Sequence, residues 1–519
     1  MSDVAPRFRS HVEDILEGLR DAPGREALVH GGRRIGAGEF HDLVHRMAWA
    51  LQAQGIERGQ TVTLLSGNLP EAIALRYAAN LIGAQVNHLY NKLAPDVQAA
   101  IVRDVETRAL VVDPRMTRRA EEIVEAVAVK SVLTLGPAGP DQDAPDAQDL
   151  LALAALQSPE PFPSQAEPDD ICAIRHTGGT TGHPKGICTT YRQVQEQRAA
   201  RPDDDGSTPP RQLIVTTIAH AAGMLADGVL ETGGTVVLLD DFAPGEVLGA
   251  IERERITHMW LLPPLLYQIL DHPHMERTDT SSLRQVVYGG CQASPTRIAE
   301  AVRRLGPVLM QGYGQNEAGI ISILAPADHD PDRPERLRTA GRILPGVEVE
   351  IRDENGKVLP NGEHGEICVR SAMAMEGYWK QPELTAEVLK DGWLHTGDIG
   401  FRDDDGYLTV VDRIKDMIVV VGGHVYTTEL EDLLNSHPEV RQSAVFGVRD
   451  QDRMEQVHAA VLLAPGSTTG ADELRAMVRA ARGAMYEPAR ITFPSELPLT
   501  DVGKPDKKEL RRLAAAATV

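Results

Sequence analysis

"RHTGGTTGHPKGICTT" occupies residues 175–190, directly after the apolar run Ile171, Cys172, Ala173 and Ile174. It carries four glycines, several threonines, one proline and one lysine, so it buries almost nothing. A short apolar run that ends in glycines reads as a buried strand opening into a loop. Glycine tolerates positive φ, which lets successive backbone N–H groups converge on one anionic guest. Hydroxyls of Thr177, Thr180 and Thr181 add donors and Lys185 adds charge, a set that suits phosphate. The Walker loop is excluded, because Pro184 precedes the lysine and Gly186 follows it where that motif needs glycine and Ser/Thr.

Working outward from this loop, helix and strand patterns alternate. Phe40, Leu43, Val44, Met47 and Leu51 recur at helical spacing, and Gly55 follows as a stop. "TVTLL" (61–65) predicts a strand, "LPEAIALRYAANLIGA" (69–84) a helix and "ALVVD" (109–113) another strand. Residues 136–170 are rich in Pro, Asp, Ala and Gln and read as a connector. Beyond the loop, "QLIVTTIAH", "TVVLLD", "HMWLLP" and "QVVYGG" predict strands separated by helices. This rhythm predicts mostly parallel, helix-covered sheets. From about residue 340 the pattern changes. "VEVEIRDENGKVLPNGEHGEICVR" (347–370) predicts antiparallel strands with turns at Asn355-Gly356 and Asn361-Gly362. After Asp412 comes a unit of about a hundred residues, the size of a small α+β domain. No internal repeat is visible.

The chain has 519 residues, more than one core usually supports, with 42% apolar and 25% charged residues. Its net charge of −22 argues against a general nucleic-acid binder and requires local positive sites for any anionic ligand. Cys172, Cys188, Cys291 and Cys368 show neither metal-binding nor secretory spacing and read as reduced thiols. The first twenty residues lack the apolar core of a signal peptide, and no apolar run has the length of a transmembrane segment. The expectation is a cytoplasmic protein.

"TGGTTGHPKG" (177–186) resembles the phosphate loop of the adenylate-forming superfamily, which includes acyl-CoA synthetases, firefly luciferase and peptide-synthetase adenylation domains. Four further stretches resemble that family's motifs in the same order: "QGYGQNEAG" (311–319), "GWLHTGDIG" (392–400), "DRIKDMIVVVGGHVYTTELE" (412–431) and "LPLTDVGKPDKKEL" (497–510). The resemblance covers nearly the whole chain. It implies a large ATP- and acyl-binding region over 1–412, a hinge at 413–415 and a mobile C-terminal domain over 416–519.

The resemblance also implies roles. Thr177, Gly178, Gly179, Thr180, Thr181, Gly182 and Lys185 would hold the departing phosphates, with Thr180 in a catalytic position. Glu317 would hold Mg²⁺. Asp398 would accept the ribose hydroxyls, acceptor chemistry that suits a carboxylate, with Arg413 as a second ribose contact. Gly289, Gly290 and Cys291 resemble the turn under adenine, with Tyr313 as the aromatic face, while Gln311, Gly312, Gly314 and Asn316 complete the nucleotide segment. Lys504 would reach the carboxylate and the α-phosphate and stabilise charge as it builds. Lys415 falls at the hinge. Gly422, Gly423 and His424 fall where the family admits the pantetheine arm of coenzyme A. His220 matches a residue beside the acyl pocket, with Gly223 and Met224 next to it.

Two positions depart from the family pattern. Gly178 stands where serine is common and Asn316 where threonine is common. A lost charge-assisted hydrogen bond is worth about 1.5–3 kcal/mol, enough to slow adenylation. Ala221, Ala222 and Gly223 beside His220 are small, which predicts room for a bulky or long acid. Leu266 and Tyr267 are either pocket or core residues. No acidic residue for an amino-acid ammonium lies in 217–222. The expected activity is acid–CoA ligation. The alternatives are loading of an acyl carrier protein, catalysis of one half-reaction only, and a non-catalytic nucleotide-binding role.

Overall fold

The computed structural model describes residues 7–137, 147–177, 185–199, 208–420, 423–449, 455–500 and 504–516. Two large sheets carry most of the chain. One is eight-stranded. Its parallel core runs, in spatial order, through Ile171–Thr177, Gln85–Leu89, Thr61–Leu65, Thr107–Val112 and Ser131–Thr134. All five residues of Thr61–Leu65 are buried, as expected for a central strand covered on both faces. The other sheet is nine-stranded. Its parallel core joins Leu309–Gln315, Gln285–Gly289, His258–Leu261, Arg211–Ile214, Thr235–Leu238 and Glu26–His30. The N-terminal hairpin Glu26–His30/Arg33–Gly36 closes its far edge.

The helices fall where apolar periodicity predicts them, at Ala37–Ala53 and Pro70–Leu81. Two expectations change. The strand read over "QLIVTTIAH" stops at Ile214, and residues 215–220 turn into the helix Ala221–Glu231. There the Asn68 amide crosslinks the turn, accepting from the Ile218 N–H at 3.0 Å and donating to the Thr216 carbonyl at 3.1 Å. The connector over 136–170 contains a two-residue strand and the helix Leu150–Ala155, capped by the Asp149 carboxylate and anchored by buried Leu150 and Ala154. Six residues are too few for periodicity to reveal.

A third, antiparallel sheet joins Glu348–Arg352, Gly365–Arg370, Trp393–Arg402 and Leu408–Arg413. The turns at Gly356 and Gly362 have φ of +80° and +85°, the region glycine enters without strain. From Ile418 onward the chain builds its own core, with Ile418, Val425, Leu430, Val445, Val461 and Leu474 buried between Thr427–Asn435, Ala471–Arg482 and the pair Val440–Arg449/Glu455–Leu463.

Candidate active site

The glycine-rich loop connects two antiparallel strands, Ile171–Thr177 and Lys185–Thr190, with Thr177 paired to Lys185. Residues Gly178, Gly179, Thr180, Thr181 and Gly182 lie outside the described residues, as do Gly422 and the side chain of Thr177. Gly186 has a packing reason: a Cβ there would stand 2.9 Å from Ile174 Cγ2 and 3.1 Å from Trp379 Cβ. Lys185 Nζ sits 5.2 Å from the ring centroid of Tyr378, whose hydroxyl donates to Glu317 Oε1 at 3.2 Å. Tyr378 therefore meets both groups, with Lys185 over its ring and Glu317 at its hydroxyl. Only one carboxylate oxygen of Glu317 is engaged there, which fits a hard cation at the other.

Asp398 lies at the centre. Its Oδ2 accepts from the Tyr313 hydroxyl at 2.8 Å and from Gln315 Nε2 at 2.7 Å. Gln315 Nε2 also donates to the Thr396 carbonyl at 3.0 Å. Tyr313 and Gln315 point the same way because they stand two apart on one strand. Arg413 is the register partner of Asp398, and its Nε stands 3.1 Å from Oδ1 without hydrogen-bond alignment. Among the described residues Oδ1 is thus a buried acceptor with no donor, which fits a ligand hydroxyl. Burial and then the adjacent Asp398 charge hold the Tyr313 phenol well above its ordinary pKa, so it remains a donor.

The glycines nearby serve close packing. A Cβ on Gly289 would stand 2.3 Å from the Gly312 carbonyl, and one on Gly314 would stand 2.3 Å from the Gly319 carbonyl. Gly290 has φ of +81°, and a Cβ there would lie 3.9 Å from Lys504 Cε. Lys504 therefore reaches the turn that carries Gly290 and Cys291, from more than two hundred residues away in sequence. Burial lowers its pKa. Cys291 and Asp398 oppose that shift, whereas the charges of Arg413 and Lys415 add to it. Lys415, in the turn after Leu408–Arg413, is likewise pushed down by burial and by Arg413, and it feels Lys185 as well. Lys185, Arg413, Lys415 and Lys504 thus form a cationic cluster in a chain of net charge −22. Asn316 is exposed, and its side chain has no hydrogen bond among the described residues. Gln311 Oε1 accepts from Tyr288 at 3.4 Å. His424 is exposed on the strand Gly423–Val425.

His220 stands at the N-terminal end of the helix Ala221–Glu231, without a capping hydrogen bond from its ring, and lines a cavity of about 60 Å³ with Met224. Among the described residues its Nε2 has no hydrogen-bond partner, and its ring packs 5.7 Å from that of Tyr90. Burial, then the positive charges of Arg175 and Lys504, push its pKa down to about 4, so the ring is neutral. Gly223 does not line this cavity. A Cβ there would stand 2.2 Å from the Ile218 carbonyl, so its smallness lets the helix approach that turn rather than leaving room for a ligand. Leu266 and Tyr267 are buried in the core of the nine-stranded sheet.

A large domain with an Asp–Tyr–Gln cradle, joined to a small one that returns a lysine to it, matches two family models in succession. Residues 17–379 match the AMP-binding enzyme model, and residues 429–504 match the AMP-binding enzyme C-terminal domain. The chain belongs to the AMP-binding enzyme family. It is an adenylate-forming enzyme that stands near the acyl-CoA ligases. It is 36% identical to the medium/long-chain fatty-acid–CoA ligase FadD8 of Mycobacterium tuberculosis, covering 98% of this chain and 90% of that one. It is 35% identical to the feruloyl-CoA synthase of an Amycolatopsis species, over 95% of this chain and 96% of that one. The solved structure of the amide bond synthetase McbA from Marinactinospora thermotolerans superposes with a TM-score of 0.88 at 41% identity, covering 97% of this chain and 100% of McbA. No helix among the described residues is long and apolar enough to cross a membrane.

Sequence patterns left several residues of this site unread. Gln315 could have been found from its alternation with Tyr313, whereas Tyr378 is brought in by a strand of two residues, Gly377–Tyr378, too short to leave a pattern.

Proposed function

We propose that this protein joins a carboxylic acid to the thiol of coenzyme A in two steps, through an acyl adenylate. One observation carries the reading: Lys504, Arg413, Lys415 and Lys185 gather beside a buried Asp398 whose Oδ1 lacks a donor. A carboxylate and ATP repel each other, so attack of the carboxylate oxygen on the α-phosphorus requires such a cluster. Asp398 accepts a ribose hydroxyl, the turn at Gly290 and Cys291 borders adenine, and the 177–185 loop holds pyrophosphate as it leaves. Lys504 stabilises the charge that develops at the α-phosphate. Mg²⁺, held at Glu317, would neutralise phosphate charge.

In the second step the thiolate attacks the acyl carbonyl and AMP leaves. Residues 416–519 turn about the hinge at 413–415, withdraw Lys504 and present Gly422, Gly423 and His424 to the pantetheine arm. The fatty-acid–CoA and feruloyl-CoA ligases among the relatives support the thiol acceptor. The acid is bulkier than acetate and compact, since the cavity behind His220 is small for an extended alkyl chain. A second reading, transfer of the same adenylate to an amine, is supported by the 41% identity to an amide bond synthetase. A carrier-protein thiol is a third acceptor, as in the fatty acid–[acyl-carrier-protein] ligase ScoC of Streptomyces coeruleorubidus, 30% identical. Acid-dependent AMP release, measured with coenzyme A, holo-carrier protein or a primary amine across an acid panel, separates the three. Release that coenzyme A accelerates at least tenfold over the other two upholds the thioester reading, and release that only an amine accelerates overturns it.

A further inference from the structure

The cavity that His220 lines is polar in a way an alkyl or plain aryl group would not require. Arg175, at the head of the glycine-rich stretch, comes from the strand Ile171–Thr177 and faces this space. Two other arginines on the walls are matched. Arg76 is held by Asp227, which also accepts from the Tyr77 hydroxyl. Arg198 pairs with Glu231, Nε to Oε2 at 3.0 Å, and with Asp14 at 3.2 Å. Among the described residues Arg175 has no hydrogen bond and no ion pair. Its ionisable neighbour Cys172 offers no counter-charge, because burial pushes that thiol to about 12 and Sγ donates to the Thr189 carbonyl at 3.3 Å. The charges of Arg76 and Asp227 act on Arg175 with opposite sign.

A guanidinium stays charged in any protein environment. Holding one largely away from water without a paired carboxylate is unfavourable, and Arg175 is half-buried. Apart from the paired Arg76, Arg198 and Asp227, the space beside it is lined by apolar residues such as Val86, Ile218 and Met224 and by polar ones, Asn80, Gln197 and the histidines. Burial, and then Arg76, hold His88 down near 3, and His220 keeps an unpartnered Nε2. We propose that the cavity behind His220 is a subsite for a second anionic group on the acyl substrate, held by the guanidinium of Arg175. The substrate class is an acid with two acidic groups, one activated near Lys504 and the other seated on Arg175. The His220 ring feels the positive charge of Arg175 and, less strongly, that of Lys504. The inference rests on the proposed acyl-activating function for the first acidic group only.

The test uses the full-length protein and two probe sets: unbranched α,ω-diacids of three to eight carbons, and the three benzenedicarboxylates, each beside its monomethyl ester. Calorimetric titration without ATP reads the subsite independently of turnover. At least one diacid should bind saturably and at least tenfold more tightly than its monoester. Arg175→Met should reduce that ratio toward one, and Arg175→Lys, which keeps the charge, should restore part of it. Acid-dependent AMP formation should show the same ratio in kcat/KM. If every diacid and its monoester bind alike in the native protein, or if Arg175→Lys and Arg175→Met lose the discrimination equally, the subsite does not exist. If diacids bind on Arg175 but none supports AMP formation, the subsite stands and the proposed activity falls.

Discussion

Replacing Lys504 by alanine isolates the charge that the small domain brings to the large one. The ammonium is largely desolvated and reaches the turn at Gly290, so it acts across low-dielectric space. A unit charge about 4 Å from a developing oxyanion, at an effective dielectric near 20, is worth about 4 kcal/mol. Arg413, Lys415 and Lys185 remain and take over part of that stabilisation, leaving a loss of about 3 kcal/mol, or about two decades in rate. The side chain pairs with no carboxylate within ion-pair distance among the described residues, so its removal leaves no buried charge unmatched and the fold should be retained. Acid-dependent ATP–pyrophosphate exchange reads the first step, and thioester formation from supplied acyl-AMP and coenzyme A reads the second. We predict that exchange falls at least a hundredfold while transfer falls less than fivefold. Equal losses in both steps would refute the reasoning.

Three further predictions follow from the same geometry. Lys507 is buried, with Nζ 2.9 Å from Glu431 and 2.7 Å from Thr427 Oγ1, so Lys507→Met leaves a buried carboxylate unmatched and should cost about 3–5 kcal/mol in the C-terminal unit, read by denaturant titration; a loss under 1 kcal/mol would contradict it. Burial lowers His45, His176 and His220 to about 4 and His88 to about 3. The unfolded chain takes up protons near pH 6.5 that the folded chain refuses until pH 4 or below, so stability is lost as pH falls through that window. At pH 5 the loss is about 2 kcal/mol for each histidine, offset by about 2 kcal/mol from Asp432, whose raised pKa of about 7 acts with the opposite sign. Calorimetry should show a melting temperature that falls steadily from pH 7 to pH 5, and a flat profile would contradict this. Restoring hydroxyls with Gly178→Ser and Asn316→Thr should accelerate adenylation about tenfold and leave transfer from supplied acyl-AMP unchanged, and single-turnover kinetics of both steps would expose any other outcome.

Sequence carried the architecture because the strands around the glycine loop are short apolar runs set between amphipathic helices. Such runs specify parallel, doubly covered sheets whatever their ligands. It carried Asp398, Arg413 and Lys504 because each sits in an ordered motif. Gly223 was misread as lining, since a small residue beside a candidate pocket looks the same whether it faces a ligand or a carbonyl. Only the Ile218 turn decides between them. Arg175 stood in plain view at the head of the decisive stretch, but its significance depends on Asp227 being already taken by Arg76 across 151 positions of sequence. Pairings of that range leave no local pattern.

The central claim is that the acid's own oxygen attacks the α-phosphorus of ATP. The most direct measurement supplies a carboxylic acid labelled with ¹⁸O in both carboxylate positions, together with ATP and coenzyme A, and reads the products by mass spectrometry. The account predicts one ¹⁸O in each AMP formed and none in pyrophosphate, because the bridging oxygen stays with phosphorus when the thiol displaces it. Unlabelled AMP, or label recovered in inorganic phosphate or pyrophosphate, would contradict it.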